Sequence, residues 1–256
     1  MDTASIADLL DPFLRAPVQQ NEDHNTEDQN IKNQENSADP NITNNVCALS
    51  PAQLEHISIY IDILIRWNSR INLTAIRTPE EIVTRHFGES LFAARHLFPC
   101  VSPVLSVVKD LDSRRTVADV GTGAGFPGLP LKIWNPALSL TLIESNHKKA
   151  TFLREITRAL TLTDVNIRIT RAESIQAKFD VVTLRAVEHF EKILPIAAAL
   201  VSPTGRLALL IATPQVDIAH SLLPDFTWSP ATPIPNATSK VLLAATRCKS
   251  GKQCLY

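Results

Sequence analysis

The sequence predicts an α/β protein: a mostly parallel, doubly wound sheet with helices on both faces, a helical extension before it and an antiparallel hairpin closing it. Three observations predict this. From residue 116 onward, short β-branched apolar runs alternate with segments of helical period. Four of the seven glycines fall within eight residues, in VADVGTGAGFPGLP over 117–130, at the junction of one such run with the next helix. Upstream of that junction, two proline-led helix starts stand before stretches with no strand pattern.

Residues 1–16 place Ile6, Leu9, Leu10, Phe13 and Leu14 at helical spacing, so an amphipathic helix is expected within a first segment, 1–17. The stretch 18–49 is rich in Asn, Gln, Asp and Glu and almost free of large apolar residues; it cannot bury enough surface to offset ordering entropy and is expected to be disordered. At 50–53 the sequence SPAQ forms a capping box, Ser at N-cap, Pro at N1 and Gln at N3, and Leu54, Ile57, Ile61 and Leu64 make the buried stripe of the helix it opens. TPEE at 78–81 opens another, containing Arg85, His86 and Phe87. This helical region, 50–115, precedes a sheet-forming core at 116–256.

In the core, strands are expected at 116–120, 140–143, 166–169, 180–184 and 206–212, with helices from Pro127 to near Trp134, over 146–160 and over about 187–200. Such alternation implies right-handed crossovers and parallel pairing. After Pro214 the pattern weakens, and 226–228 and 241–247 are expected to pair antiparallel around a proline-rich loop.

The glycine cluster marks a ligand site. Glycines at a strand-helix corner take positive φ and let a ligand approach bare backbone. Counted from Gly121, a dinucleotide-binding GxGxxG would need glycine where Phe126 stands, and a P-loop, whose spacing Gly123 to Gly128 has, would need lysine and a hydroxyl where Leu129 and Pro130 stand. What is present is Asp119 before the loop and Glu144 at the end of the second strand, where folds of this kind bind ribose hydroxyls. An adenosine without pyrophosphate suits this best, and S-adenosyl-L-methionine is the expected cofactor. Gly121 is expected against its methionine part, with Gly123 in the same loop, Phe126 as an apolar wall, Glu144 on the ribose, Ala172 and Glu173 beside the adenine, and Arg185 on the cofactor carboxylate or a substrate phosphate.

DVGTGAGFPGLPL at 119–131, ES at 144–145, KKATFLRE at 148–155, RAE at 171–173 and LRAV at 184–187 resemble the ribosomal RNA small-subunit methyltransferase G family, also called glucose-inhibited division protein B. RWNSRINLTAI at 66–76 and RHFGESL at 85–91 extend the resemblance over roughly 50–206. It implies a Rossmann-like class I methyltransferase that uses S-adenosyl-L-methionine to methylate N7 of a guanine in the 530-loop region of 16S ribosomal RNA. It also points to the same glycine loop, Phe126, Ala172, Glu173 and Arg185. The place after the fourth strand reads LRAV, not the NPPY-like segment of many amino-group methyltransferases, and no cysteine nucleophile lies near the end of any of the five parallel strands. N7 needs neither, since its lone pair lies in the ring plane with no proton to remove, so no catalytic residue is expected beyond those that position the reactants. Two other readings stay open: a methyltransferase of this fold acting on a small molecule or protein, and a non-catalytic cofactor- or RNA-binding module. Against the family pattern, this chain has the Asn/Gln-rich insertion, Glu144 where aspartate is commoner, and RLALLIATP without the lysine-glycine that often ends that strand.

The net charge of −1 hides a partition: residues 1–50 hold 9 acidic and 2 basic side chains, net −7, and the remainder 17 acidic and 23 basic, net +6. Excess positive charge is compatible with RNA binding, and Arg66, Arg70, Arg77, Arg85 and Arg95 are candidate phosphate contacts beside the cleft. No run approaches eighteen apolar residues and the opening MDTASIADLLDPFLR has no basic n-region, so neither a membrane span nor a signal peptide is expected, and a cytoplasmic monomer is. Four scattered cysteines without a CxxC lead to an expectation of reduced thiols and no metal site.

Overall fold

The computed structural model describes residues 1–15, 48–99 and 114–248. The tract expected to be disordered therefore lies, up to residue 47, outside the described residues. Helix α1 (Thr3–Arg15) and helix α2 (Pro51–Asn68) come first, and α2 starts as the capping box requires: Ser50 Oγ accepts from the Gln53 backbone N–H at 3.3 Å, while Gln53 Oε1 accepts from the Ser50 N–H at 2.8 Å. Helix α3 (Pro79–Ile82), capped by Thr78, runs into a π-helical turn (Val83–Gly88) and then helix α4 (Glu89–Leu97).

Strand β1 (Thr116–Val120) leads through the glycine loop to α5 (Gly128–Trp134). Then follow β2 (Ser139–Ile143), α6 (His147–Ala159), β3 (Val165–Arg168), a 3₁₀ turn at Ala172–Ser174, β4 (Phe179–Arg185), α7 (Phe190–Ala199) and β5 (Val201–Ala212). Helix α8 (Gln215–Leu222), β6 (Phe226–Trp228), β7 (Thr232–Pro233) and β8 (Lys240–Arg247) complete the chain. The eight strands run β3-β2-β1-β4-β5-β8-β6, with β7 also on β8. β1 to β5 are parallel; β8 is antiparallel to β5, β6 and β7. The expected pairing of 226–228 with 241–247 is present. α8 and β7 fall where the sequence showed only a weakening pattern and a loop. Cys248 is disulfide-bonded, against the expectation of reduced thiols.

Alternation along each strand builds two cores. Val117, Leu140, Val181 and Leu210 face a core shared with Ile6, Leu10 and Phe13 of α1, Ile57, Tyr60 and Ile61 of α2, and Phe152 and Ile156 of α6. Ala118, Ile143, Val182 and Leu209 face the other, with Leu194 of α7 and Ala219 of α8. The strand order reverses between β1 and β4, whose carboxyl ends are where such sheets bind ligands.

Candidate functional site

The loop after β1 is held in a single shape by internal bonds. Gly121, Gly123 and Gly125 have φ of +66°, +57° and +90°. The N–H groups of Gly121 and Thr122 both donate to the Ile143 carbonyl, those of Gly125 and Phe126 to the Thr122 carbonyl, and that of Gly123 to Glu144 Oε2 at 3.0 Å. A side chain at Gly121 would meet Val187 at 3.1 Å, whereas at Gly123 nothing lies nearer than 3.9 Å, so the loop presents open space on this side. At Gly125 the Tyr60 hydroxyl is 2.3 Å from where a Cβ would stand, and it donates to the Ala124 carbonyl at 2.5 Å. Tyr60, buried in α2, thus clamps the loop from behind; its pKa is raised by burial, then by Asp119.

Asp119 completes the corner. Fully buried, it accepts from Thr122 Oγ1 at 2.5 Å, from the Gly128 N–H at 2.9 Å and from Thr183 Oγ1 at 2.8 Å. Burial pushes its pKa up to about 6, against the pull of those three donors. The arrangement decides a point the motif leaves open. Counted from Gly123, GAGFPG does satisfy GxGxxG, so spacing alone does not exclude a dinucleotide. At the start of α5, however, the Gly128 N–H is spent on the Asp119 carboxylate and the Leu129 N–H on the Gly125 carbonyl. A carboxylate sits where a pyrophosphate would be received, which fits a cofactor without one.

Glu144, largely buried, uses one oxygen on Gly123 and the other on the Asn146 N–H at 2.8 Å. Each keeps a lone pair for a ribose hydroxyl. Ala172 is buried in the same cluster as Val120 and Ile143, the last residues of β1 and β2, while Glu173 beside it is exposed. Gly121, Gly123, Glu144 and Ala172 therefore gather at the carboxyl ends of β1 and β2.

Phe126 and Arg185 lie in a different setting from the one expected. Phe126 is buried and stacked between Tyr60, at 5.4 Å, and His86, at 4.6 Å. Arg185, at the end of β4, turns its guanidinium into the helical layer: Glu89 Oε2 accepts from it at 2.9 Å, the Arg85 carbonyl at 2.6 Å and His86 Nδ1 at 3.2 Å. Arginine only donates, so His86 Nδ1 is the acceptor and its Nε2–H donates to Thr74 Oγ1 at 2.8 Å. Burial, then Arg185 and Lys240, lower the His86 pKa to about 3, leaving it neutral. The second oxygen of Glu89 accepts from Lys240 at 2.6 Å. Tyr60, His86, Glu89 and Lys240 surround this corner with no signal in the sequence beyond the RHFGES block that holds His86 and Glu89.

Residues 53–220, well over half of the chain, match the family of rRNA small subunit methyltransferase G. The chain belongs to that family. Ribosomal RNA small subunit methyltransferase G of Bacillus subtilis (strain 168) is 36% identical over 171 residues, 64% of this chain and 66% of that protein; the protein of the same name from Aquifex aeolicus (strain VF5) is 45% identical over 146 residues, 57% and 69%. The aligned stretches thus span about two thirds of these relatives. In fold, the chain is similar to a magnesium protoporphyrin IX methyltransferase from Synechocystis PCC 6803 with bound SAM, with a TM-score of 0.55 at 15% identity over 75% of this chain and 97% of that one. The family's Rossmann-like methyltransferase fold is the one the sequence predicted. Among the described residues no group of metal ligands and no helix long and apolar enough to cross a membrane is found.

Proposed function

We propose that this protein transfers the methyl group of S-adenosyl-L-methionine to N7 of a guanine in the 530-loop region of 16S ribosomal RNA, acting as a cytoplasmic monomer. The observation that carries the reading is that, among the described residues, the buried titratable groups around β1 and the end of β4 are already engaged. Glu89 has both oxygens in ion pairs, His86 has both nitrogens bonded, and Asp119 is fully engaged. Methylation of an exocyclic amine involves loss of a proton; methylation of N7 does not. The site is therefore suited to reaction at an unprotonated ring nitrogen.

When bound, the cofactor supplies an electrophilic methyl on a sulfonium sulfur. Attack by the lone pair of N7 would displace the sulfide as S-adenosylhomocysteine and leave the positive charge on the purine, with no proton to be removed by the protein. Gly121 and Gly123 leave room for the cofactor against backbone, and Glu144 holds the ribose while fixing the loop. Ala172 and Glu173 border the adenine, and Phe126 stiffens the loop through its ring stack. Arg185 acts at the reacting end from its ion pair with Glu89. Catalysis consists of alignment, which in well-oriented systems is worth about 7–11 kcal/mol.

Labelled methyl transfer to ribosomal RNA lacking the endogenous modification, followed by nuclease digestion, tests this. Label is expected as 7-methylguanosine in small-subunit RNA. Unlabelled RNA alongside intact cofactor binding would overturn the substrate assignment.

A further inference from the structure

The arginines that the sequence offers for RNA mostly have partners within the chain, several of them in exposed pairs. Arg66 reaches Glu155 at 3.6 Å, Arg77 donates to the Asn68 carbonyl, Arg85 pairs with Glu81, and Arg95 is engaged as well. A different set does not. Lys148, Arg154 and Arg158 on α6, Arg168 at the end of β3 and Arg171 just after it are exposed, with no side-chain hydrogen bond or ion pair among the described residues. The acids nearby do little to offset them: Glu155 serves Trp67 and Arg66, and Asp164 serves Arg114.

Geometry places two of these cations, Arg154 and Arg158, on one surface, whereas Arg168 alternates with Val165 and Ile167 to the other face of the sheet. His147, Thr151, Arg154 and Arg158 follow i, i+4, i+7, i+11, a single exposed stripe along α6. The stripe starts beside Glu144 at the cofactor edge and descends about 16 Å at 1.5 Å per residue. At its lower end Arg154, Thr157 and Arg158 line an open groove of about 510 Å³ against Leu162, Val165 and Ile167, where β3 is the edge of the sheet. Charges on an edge strand discourage strand pairing, but that purpose would not call for unpaired arginines on the helix beside it.

We propose that this α6–β3 flank is an RNA-contacting surface, on which Arg154 and Arg158 bind backbone phosphates of nucleotides flanking the methylated one. The proposal rests on ribosomal RNA being the substrate. Guanidinium forks suit phosphate oxygens, and contacts this far from the cofactor edge position the RNA without reading the target base.

The test is equilibrium binding of the full-length protein to unmodified small-subunit RNA across a salt series, for wild type, for the double variant Arg154→Gln/Arg158→Gln, and for a control, Arg115→Gln/Arg206→Gln. The control pair lines a pocket toward the amino ends of β1 and β5. Two lost phosphate contacts should flatten the slope of log K against log salt by about 1.4–1.8 for the flank variant and leave the control at the wild-type slope. The flank variant should also raise the RNA KM about tenfold, with unchanged cofactor affinity and melting temperature. A wild-type slope in the flank variant, or equal flattening in the control, overturns the flank. Wild type that binds RNA with these slopes yet transfers no methyl overturns the substrate reading and the placement beside a methylated nucleotide, while Arg154 and Arg158 stand as RNA contacts; wild type that does not bind RNA overturns both.

Discussion

At the scale of single residues, the corner after β1 depends on Asp119, a carboxylate held in a dry site by three donors. Its folded-state pKa of about 6 lies above the ordinary value of 3.8. The proton is therefore bound more tightly in the folded protein, so the stability from this group is full below about pH 4 and is lost as pH rises through 6, by up to about 3 kcal/mol. Asp119→Asn has no such titration. In urea unfolding, wild type is expected to gain stability relative to the variant as pH falls from about 6 to 4; the opposite trend would mean that the donors outweigh burial. Asp119 and Glu144 were legible because each ends a strand beside the glycine motif. Tyr60 was not: it sits one position from the counted stripe of Ile57, Ile61 and Leu64, and the carbonyl it holds belongs to Ala124, far along the chain. Helical period shows which side chains are inward, but not which of them carries a hydroxyl to a distant loop.

At the scale of elements, the π-helical turn at Val83–Gly88 is the feature the sequence concealed most completely. A reading by 3.6-residue period continues one helix from Pro79, whereas the structure follows α3 with this turn before α4 begins at Glu89. Glu89 there meets both Arg185 of β4 and Lys240 of β8. The α8 helix was hidden for a simpler reason: Pro214 reads as a break, and it is the residue that opens the helix. Strands β1 to β4 were legible to within a residue because short apolar runs mark them, whereas β5 begins at Val201, five residues before the expected start, since Ser202-Pro203-Thr204-Gly205 reads as a turn. The ion triad makes its own prediction. Glu89 and Arg185 side chains are 4% and 9% exposed, so Glu89→Gln leaves a buried guanidinium without its counter-charge, at an expected cost of about 3–5 kcal/mol in urea unfolding. Lys240→Gln, at a side chain 36% exposed, is expected to cost no more than about 1 kcal/mol. Equal losses from both variants would show that Lys240, not Arg185, is the essential partner.

At the scale of the whole molecule, the sequence suggested segments in series, a terminal helix, a helical region and a sheet core, while the strand order and the merging of those segments came only from the fold. Helix α1 is the clearest case. Ile6 and Leu10 are fully buried and Phe13 nearly so, in the same core as Val117 and Leu140 of the sheet. Phe13 also lies so close to Gly88 that a Cβ there would stand 2.5 Å from its ring, so α1 is seated on the π-helical turn that leads to Glu89. Burying three such side chains contributes on the order of 5–9 kcal/mol, comparable with the 5–15 kcal/mol by which whole domains are stable. Removing residues 1–15 should therefore lower the urea midpoint sharply and weaken cofactor binding, although α1 contributes none of the candidate cofactor residues. In the intact protein the helical layer and sheet should unfold together. Fluorescence of Trp67 and Trp134, which pack on the shared core, should lose its native signal at the same urea concentration as the far-ultraviolet circular dichroism of the whole chain. A fluorescence transition that precedes the loss of secondary structure, or a truncated chain with an unchanged midpoint, would show that the helical layer is an appendage and that the sheet stands without it.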